Sequence, residues 1–211
     1  MENKDTVLEW SKIFEFRELI HKRYKDVWHI PLIKRRSVLF KRFLRDGMSV
    51  LDVGAGFRSA EKEIKKLWIN IDYKSMDIDK SIYHDYYDLS DIKEDFDAIL
   101  LFEVIEHLSL EDGINLLKKL HRLTKKNGFI IVSTPNIFNP SRFMRDATHK
   151  TFYAYDELSG ILNLSGYQIE EIYRSYNDAF HRYFFKVFIA GFLFKTFGID
   201  YAYSIFIVAR K

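Results

Sequence analysis

Apolar positions change their spacing several times along the chain, and each change marks an element. Residues 6–27 and 31–46 read as helices. In the second, Ile33, Phe40 and Leu44 fall at helical spacing, Pro31 suits a first turn, and Gly47 can end it. From Ser49 the pattern tightens into a short apolar strand, 49–53, that runs straight into Gly54-Ala55-Gly56. A helix to about Leu67 follows. Further strands are expected over 70–76, 84–87, 96–102, 129–133, 168–173 and 201–209. Before the 129–133 strand, Ser109 is placed to cap a helix whose apolar stripe is Leu110, Ile114, Leu117 and Leu120, with Gly128 beyond its end. Another helix, about 155–164, stops at Gly166. Strands alternating with helices predict an α/β fold, a doubly wound parallel sheet with helices on both faces. The chain ends differently, on strand, apolar helix, strand.

Composition narrows the picture. Apolar residues make up 47% and aromatics 17% of 211 residues, too many for a disordered chain and enough for a sizeable core. Repeats and low-complexity stretches are missing, so a single domain over 1–211 is expected, with 1–46 as a helical cap and 175–200 as an apolar insertion before the last strand. There are no cysteines, which excludes disulfides, thiolate metal sites and a cysteine nucleophile. No apolar run follows the first residues, so no secretory signal is expected and a cytoplasmic location is the default. The net charge of +3 is uneven: residues 1–46 carry a balance of +5 and the remainder −2. That basic arm suits a solvated helix face or an anionic surface, and the overall charge alone does not predict nucleic-acid binding.

In a doubly wound sheet, ligands bind outside the carboxyl ends of the strands. The turn after the first strand needs glycine, because a side chain there would hold a ligand off the backbone. Gly54 and Gly56 meet that need. A dinucleotide site would want a third glycine where Ser59 stands. Asp77 closes the second strand, 23 positions after Gly54, where a carboxylate can accept hydrogen bonds from both ribose hydroxyls.

At these residues the chain resembles the class I S-adenosylmethionine-dependent methyltransferases, in particular small-molecule, ubiquinone-type O-methyltransferases. Val50-Leu51-Asp52-Val53-Gly54-Ala55-Gly56 is similar to the family's first motif, Asp77-Ile78 to its ribose-binding acid and neighbour, and Asp88-Leu89 to its adenine-side pair. The run 96–108, with Glu103-Val104-Ile105-Glu106-His107, resembles the fourth strand and the helix start after it, and Ile131-Val132-Ser133-Thr134-Pro135-Asn136 resembles the fifth strand. The resemblance implies a Rossmann-like, seven-stranded sheet whose last strand is antiparallel and inserted beside the fifth. It further implies S-adenosyl-L-methionine as cofactor, held by Asp52, Gly54, Gly56, Asp77, Ile78, Asp88, Leu89 and Glu103.

Methyl transfer from a sulfonium needs donor, methyl carbon and nucleophile in line, in a site that excludes water. A hydroxyl nucleophile must also lose a proton, which makes His107 and His149 the candidate catalytic residues, one after the fourth strand and one in the loop after the fifth. Glu103, Glu106 and His107 stand at i, i+3 and i+4, and with His149 they resemble the metal site of small-RNA 3′-terminal 2′-O-methyltransferases. The same Glu-x-x-Glu-His run occurs in small-molecule methyltransferases, so no metal is assigned and nucleic acid is not the expected partner.

Residues 179–198 hold seven phenylalanines, interrupted by Arg182, Lys186 and Lys195. The longest uncharged run, 187–194, makes about 12 Å of helix against a hydrocarbon core of about 30 Å, so the segment is too short to span a membrane. It suits a peripheral membrane contact, with a homodimer interface or a buried helix as alternatives. The expected acceptor is a small or lipid-linked molecule such as a glycan or quinone precursor. A nicotinamide-dependent oxidoreductase and a non-catalytic membrane-bound partner are the rival classes.

Overall fold

The computed structural model describes residues 10–176 and 178–211. Helix α1 (Trp10–Arg23) is followed by the two-residue strand β1 (Leu32–Ile33) and helix α2 (Ser37–Phe43). Strand β2 (Ser49–Val53), helix α3 (Ser59–Lys65), strand β3 (Asp72–Met76), strand β4 (Phe96–Phe102), helix α4 (Leu110–Leu123) and strand β5 (Thr124–Pro135) form the alternating centre. Then come α5 (Pro140–Phe143), α6 (Tyr155–Leu164), β6 (Gln168–Ser175), α7 (Phe180–Phe184), a π-helical turn (Phe185–Ile189), α8 (Gly191–Thr196) and β7 (Ser204–Arg210). The sheet has seven strands in the order β1-β6-β7-β5-β4-β2-β3. Only β7 runs antiparallel, between β5 and β6, as the resemblance implies.

Alternation along the strands builds a core on each face. Ile99 and Leu101 of β4 pack with Leu51, Ile114, Leu117, Leu120 and α6 on one side, while Ala98 and Leu100 pack with Val50, Phe40 and Ile64 on the other. Ser109 caps α4, accepting the Asp112 N–H at 3.1 Å, and its apolar stripe is buried. Helix α1 is docked on α6 by Asp156, buried, which accepts from Arg17 at 3.0 Å and lies 2.9 Å from the His21 ring.

Several expected elements differ. Pro31 does not open a helix. Leu32 and Ile33 instead pair with Arg174 and Ser175 as the seventh, edge strand, because the pairing donors and acceptors of β6 outweigh a weak helical spacing. Segment 84–87 is not a strand: it makes one bridge, Met76 to Tyr86, since Asp85 turns back to accept from Ser75. β5 is longer than expected and β7 starts at Ser204, later than 201. The first helix begins at Trp10 among the described residues; residues 6–9 of that expectation lie outside them. The apolar insertion is no single helix but α7, the π-helical turn and α8, broken at Ala190. No helix among the described residues is long and apolar enough to cross a membrane.

Candidate active site

The glycine turn sits at the carboxyl end of β2. Gly54 has φ +70° and its N–H donates to the Met76 carbonyl at 2.9 Å. A Cβ there would stand 2.3 Å from Val104 Cγ2, so only glycine lets the turn approach the segment after β4. Gly56, with φ +46°, opens onto free space, and its N–H donates to Asp77 Oδ2 at 2.8 Å. The other carboxylate oxygen of Asp77 accepts from the Asp79 N–H at 3.0 Å. Glycine turn and acid are thus one bonded unit. Each oxygen of Asp77 keeps a lone pair for a hydroxyl donor, and the bare backbone at Gly56 leaves room for a ligand, which fits an adenosine.

The other residues assigned to the cofactor divide. Asp52 is buried beneath the turn and accepts from Tyr73 Oη at 2.6 Å; burial pushes its carboxyl up to about 6. It acts as a support of the turn, since its known bond goes inward to β3. Ile78 is exposed beside Asp77. Asp88 hydrogen-bonds neither glycine nor Asp77: its carboxylate caps Ser90 N–H at 2.7 Å, which holds it below the usual carboxylate range. With Leu89 it lines a cavity of about 320 Å³ shared with Lys119 and Arg122 of α4. Glu103 adopts φ +53° and accepts from Ser133 Oγ at 2.7 Å, at the mouth of a different cavity.

That cavity, about 370 Å³, is lined by Glu103, Glu106, His107, Arg142, Arg145, Asp146, His149 and Tyr203 among others. Glu103, which lines it, precedes the Val104 that Gly54 approaches, and both candidate histidines belong to it. Their rings stand edge to face with centroids 4.8 Å apart. Nδ1 of His149 lies 2.8 Å from the Phe143 carbonyl, which can only accept, so Nδ1 carries a proton and, in the neutral ring, Nε2 the lone pair. Thr148 Oγ1 donates its one proton to Asp146 Oδ1 at 2.7 Å and lies 2.8 Å from His107 Nδ1. That nitrogen therefore donates, and in the neutral ring the lone pair of His107 sits on Nε2.

Glu106 completes the cluster. It is fully buried, and among the described residues neither carboxylate oxygen has a hydrogen-bond partner. Burial, reinforced by the charge of Glu103, pushes it up to about 8. One ligand atom from each of Glu106, His107 and His149 lies within 4.8 Å of the others. The loop carrying His149 is tied back to this point, because the Lys150 and Thr151 N–H groups both donate to the Glu106 carbonyl, at 2.7 and 3.1 Å. Arg142, Arg145, Asp146 and Tyr203 are site residues that sequence reasoning missed. Only Asp146 carried a signal, as the Asx-type partner two residues before Thr148.

Residues 22–172 match the family model described as a methyltransferase domain, and the chain belongs to that family. It is a methyltransferase by that membership, which favours methyl transfer over the nicotinamide-dependent alternative. Its fold is similar to a SAM-dependent methyltransferase from Archaeoglobus fulgidus, at 17% identity and a TM-score of 0.64, covering 96% of this chain and 99% of the other. A S-adenosylmethionine-dependent methyltransferase from Mesorhizobium loti aligns at 13% identity and a TM-score of 0.60, covering 83% and 97%. The cyclopropane synthase MmaA2 from Mycobacterium tuberculosis aligns at 10% identity and a TM-score of 0.58, covering 99% and 100%. At such identities the likeness concerns the fold alone. No curated protein sequence matches the chain.

Proposed function

We propose that the protein is an S-adenosylmethionine-dependent methyltransferase that methylates a hydroxyl of a small or lipid-linked acceptor. The donor supplies an electrophilic methyl group on a sulfonium. Gly54 and Gly56 admit its adenosine to the backbone, and Asp77 accepts from the ribose hydroxyls. The observation that carries acceptor chemistry is the pair of imidazoles whose Nδ1 protons are committed to Thr148 and to the Phe143 carbonyl. In the neutral form of each ring the lone pair then sits on Nε2, the tautomer a general base at that atom requires. His107, nearer in sequence to the glycine turn, takes the hydroxyl proton; His149 holds the acceptor. Asp88, Leu89, Ile78 and Glu103 are assigned to the rest of the donor on the strength of the resemblance.

The test is calorimetric titration with S-adenosylhomocysteine, followed by transfer of labelled methyl to glycan and isoprenoid acceptors. Binding of the thioether with label on oxygen supports the reading. Absence of binding, or label only on nitrogen or carbon, overturns it.

A second reading is favoured by one observation: the buried carboxylate of Glu106, without a hydrogen-bond partner among the described residues, beside the two imidazoles. A divalent cation would be held by Glu106, His107 and His149, where it would lower the pKa of an acceptor hydroxyl. The chain's own contribution is the contacts of Thr148 with His107 Nδ1 and of the Phe143 carbonyl with His149 Nδ1, which orient both rings. Titration with Mg²⁺, Mn²⁺ and Zn²⁺ tests it without any acceptor. Saturable binding that Glu106→Gln abolishes supports the cation; equal behaviour of the two proteins removes it and leaves His107 as the base.

A further inference from the structure

Between residues 184 and 197, Phe184, Phe185, Phe188, Ile189, Phe192, Leu193 and Phe197 are all exposed, Phe188 at 68%, Phe192 at 78% and Phe197 at 72%. A water-soluble monomer seldom leaves so dense an apolar strip open. The strip contains no carboxylate; its charges are Lys186 and Lys195, with Arg182 two residues before it. Lys186 is tied to Asp178 at 2.7 Å, and Arg182 and Lys195 stand exposed.

Next to the strip lies a basic cleft. A cavity of about 530 Å³ is lined by Lys34, Arg35, Arg36 and Lys66, with Glu63 as its one carboxylate. Glu63 is already engaged by Arg36 at 2.8 Å, whereas Lys34, Arg35 and Lys66 make no ion pair among the described residues. Tyr176 links the cleft to α7, the helix that leads into the strip. Its neighbour Ser175 lines the cleft, its N–H donates to the Ile33 carbonyl at 3.1 Å, and its ring stacks on Tyr183 of α7 with centroids 4.1 Å apart.

We propose that this composite face seats the protein on the surface of an anionic phospholipid bilayer. The phenylalanines of the π-helical turn and α8 enter the acyl boundary, and the phosphates of neighbouring lipids settle in the cleft of Lys34, Arg35 and Lys66. Each helical piece is too short to span, so the segment lies flat in the interface. Charge argues for this occupant over a second copy of the chain: two such faces would bring cations against cations with no acid in either strip to meet them. Lipid phosphates meet them directly.

The seating has a consequence for the site. Tyr203 lines the methyl-transfer cavity; Arg142 of that cavity lies 4.3 Å over its ring, and Lys186 of the apolar strip lies 5.5 Å from the same ring. The Tyr203 hydroxyl donates to Asp178 at 2.7 Å, the carboxylate that also holds Lys186. The cavity wall and the bilayer-facing strip are therefore joined through one aromatic ring, which puts the cavity mouth beside the membrane.

Co-sedimentation of the full chain with phosphatidylcholine vesicles, with and without phosphatidylglycerol, tests the seating. The expected result is binding to the mixed vesicles that weakens with salt and is much poorer with phosphatidylcholine alone. Lys34→Glu with Arg35→Glu lowers partitioning on the order of tenfold. Phe188→Ser with Phe192→Ser lowers it by at least about tenfold. All four positions are solvent-facing, and unchanged far-ultraviolet circular dichroism and Tm confirm that the variants fold. Indifference to vesicle charge, wild-type partitioning of either double variant, or no partitioning at all overturns the proposal. So does a dimer in sedimentation velocity that Phe188→Ser with Phe192→Ser dissociates while vesicles go unbound. The seating stands apart from the methyl-transfer reading: a protein that binds S-adenosylhomocysteine but no vesicle loses only the seating, and the converse loses only the reading.

Discussion

The hydroxyl of Thr148 bridges Asp146 and Nδ1 of His107, giving its proton to the first and accepting from the second. Residues 41 positions apart are thereby joined into one relay that sets which nitrogen of His107 is free. Thr148→Val keeps the shape and removes the bridge, so turnover is expected to fall about tenfold, as for other groups that orient a working imidazole. Affinity for S-adenosylhomocysteine stays at the wild-type level, and Thr148→Ser restores the rate. Steady-state kinetics on the three proteins checks this; a Val variant as fast as wild type refutes the relay.

Asp77 receives the Gly56 N–H and faces the space that Gly56 leaves open. Asp77→Ala is expected to weaken S-adenosylhomocysteine binding by about 1–3 kcal/mol, the cost of stranding polar partners. Gly54→Ala acts on the same turn by sterics, since its Cβ would collide with Val104 at 2.3 Å and the backbone has φ +70°. It should cost on the order of 2 kcal/mol of stability. Calorimetry measures the first and urea unfolding the second.

Asp52 yields a pH dependence. Its carboxyl is raised by burial from 3.8 to about 6, so the folded chain holds a proton there that the unfolded chain releases. Stability from this group is fully present below about pH 4, falls as pH rises to about 6, and is level above. Asn at this position can still accept from Tyr73 and never ionises. Asp52→Asn should therefore gain stability relative to wild type as pH increases across that window, by an amount on the order of 3 kcal/mol. Unfolding curves at several pH values read it; a difference independent of pH contradicts the assignment.

The wall of the cavity rests on a buried ion pair. Arg174 donates to Asp200 Oδ1 at 2.7 Å and to the backbone carbonyls of Ile30 and Trp28, while Asn136 donates to Asp200 Oδ2 at 2.7 Å. Removing one partner strands a buried charge, so Asp200→Ala should cost about 3–5 kcal/mol. The exposed pair Arg210–Glu170 should cost under about 1 kcal/mol on Glu170→Ala. Paired chemical denaturations separate the two; equal losses would show that the network carries no special weight.

Reading the sequence succeeded where the deciding interactions are local. The turn Gly54-Ala55-Gly56 follows its strand directly, the acid ends the next strand, and Ser109 caps its own helix, so each is visible within a few residues. It failed where a distant partner decides. Leu32–Ile33 has helical spacing on paper, but its backbone pairs with residues 174–175. The 179–198 segment shows its phenylalanines in sequence, yet not the break at Ala190 or the cleft beside it.

For this protein, local sequence determined the alternation of strands and helices, the glycine bend after the first central strand and the carboxylate beside it, because backbone geometry and side-chain period act over short range. The tertiary fold alone decided that Glu106 is sealed from water with no hydrogen-bond partner among the described residues, that Nδ1 of both histidines is engaged, and that Arg142 and Tyr203 join their cavity. Burial and proton placement depend on what the rest of the chain brings near, and no spacing along the sequence encodes that.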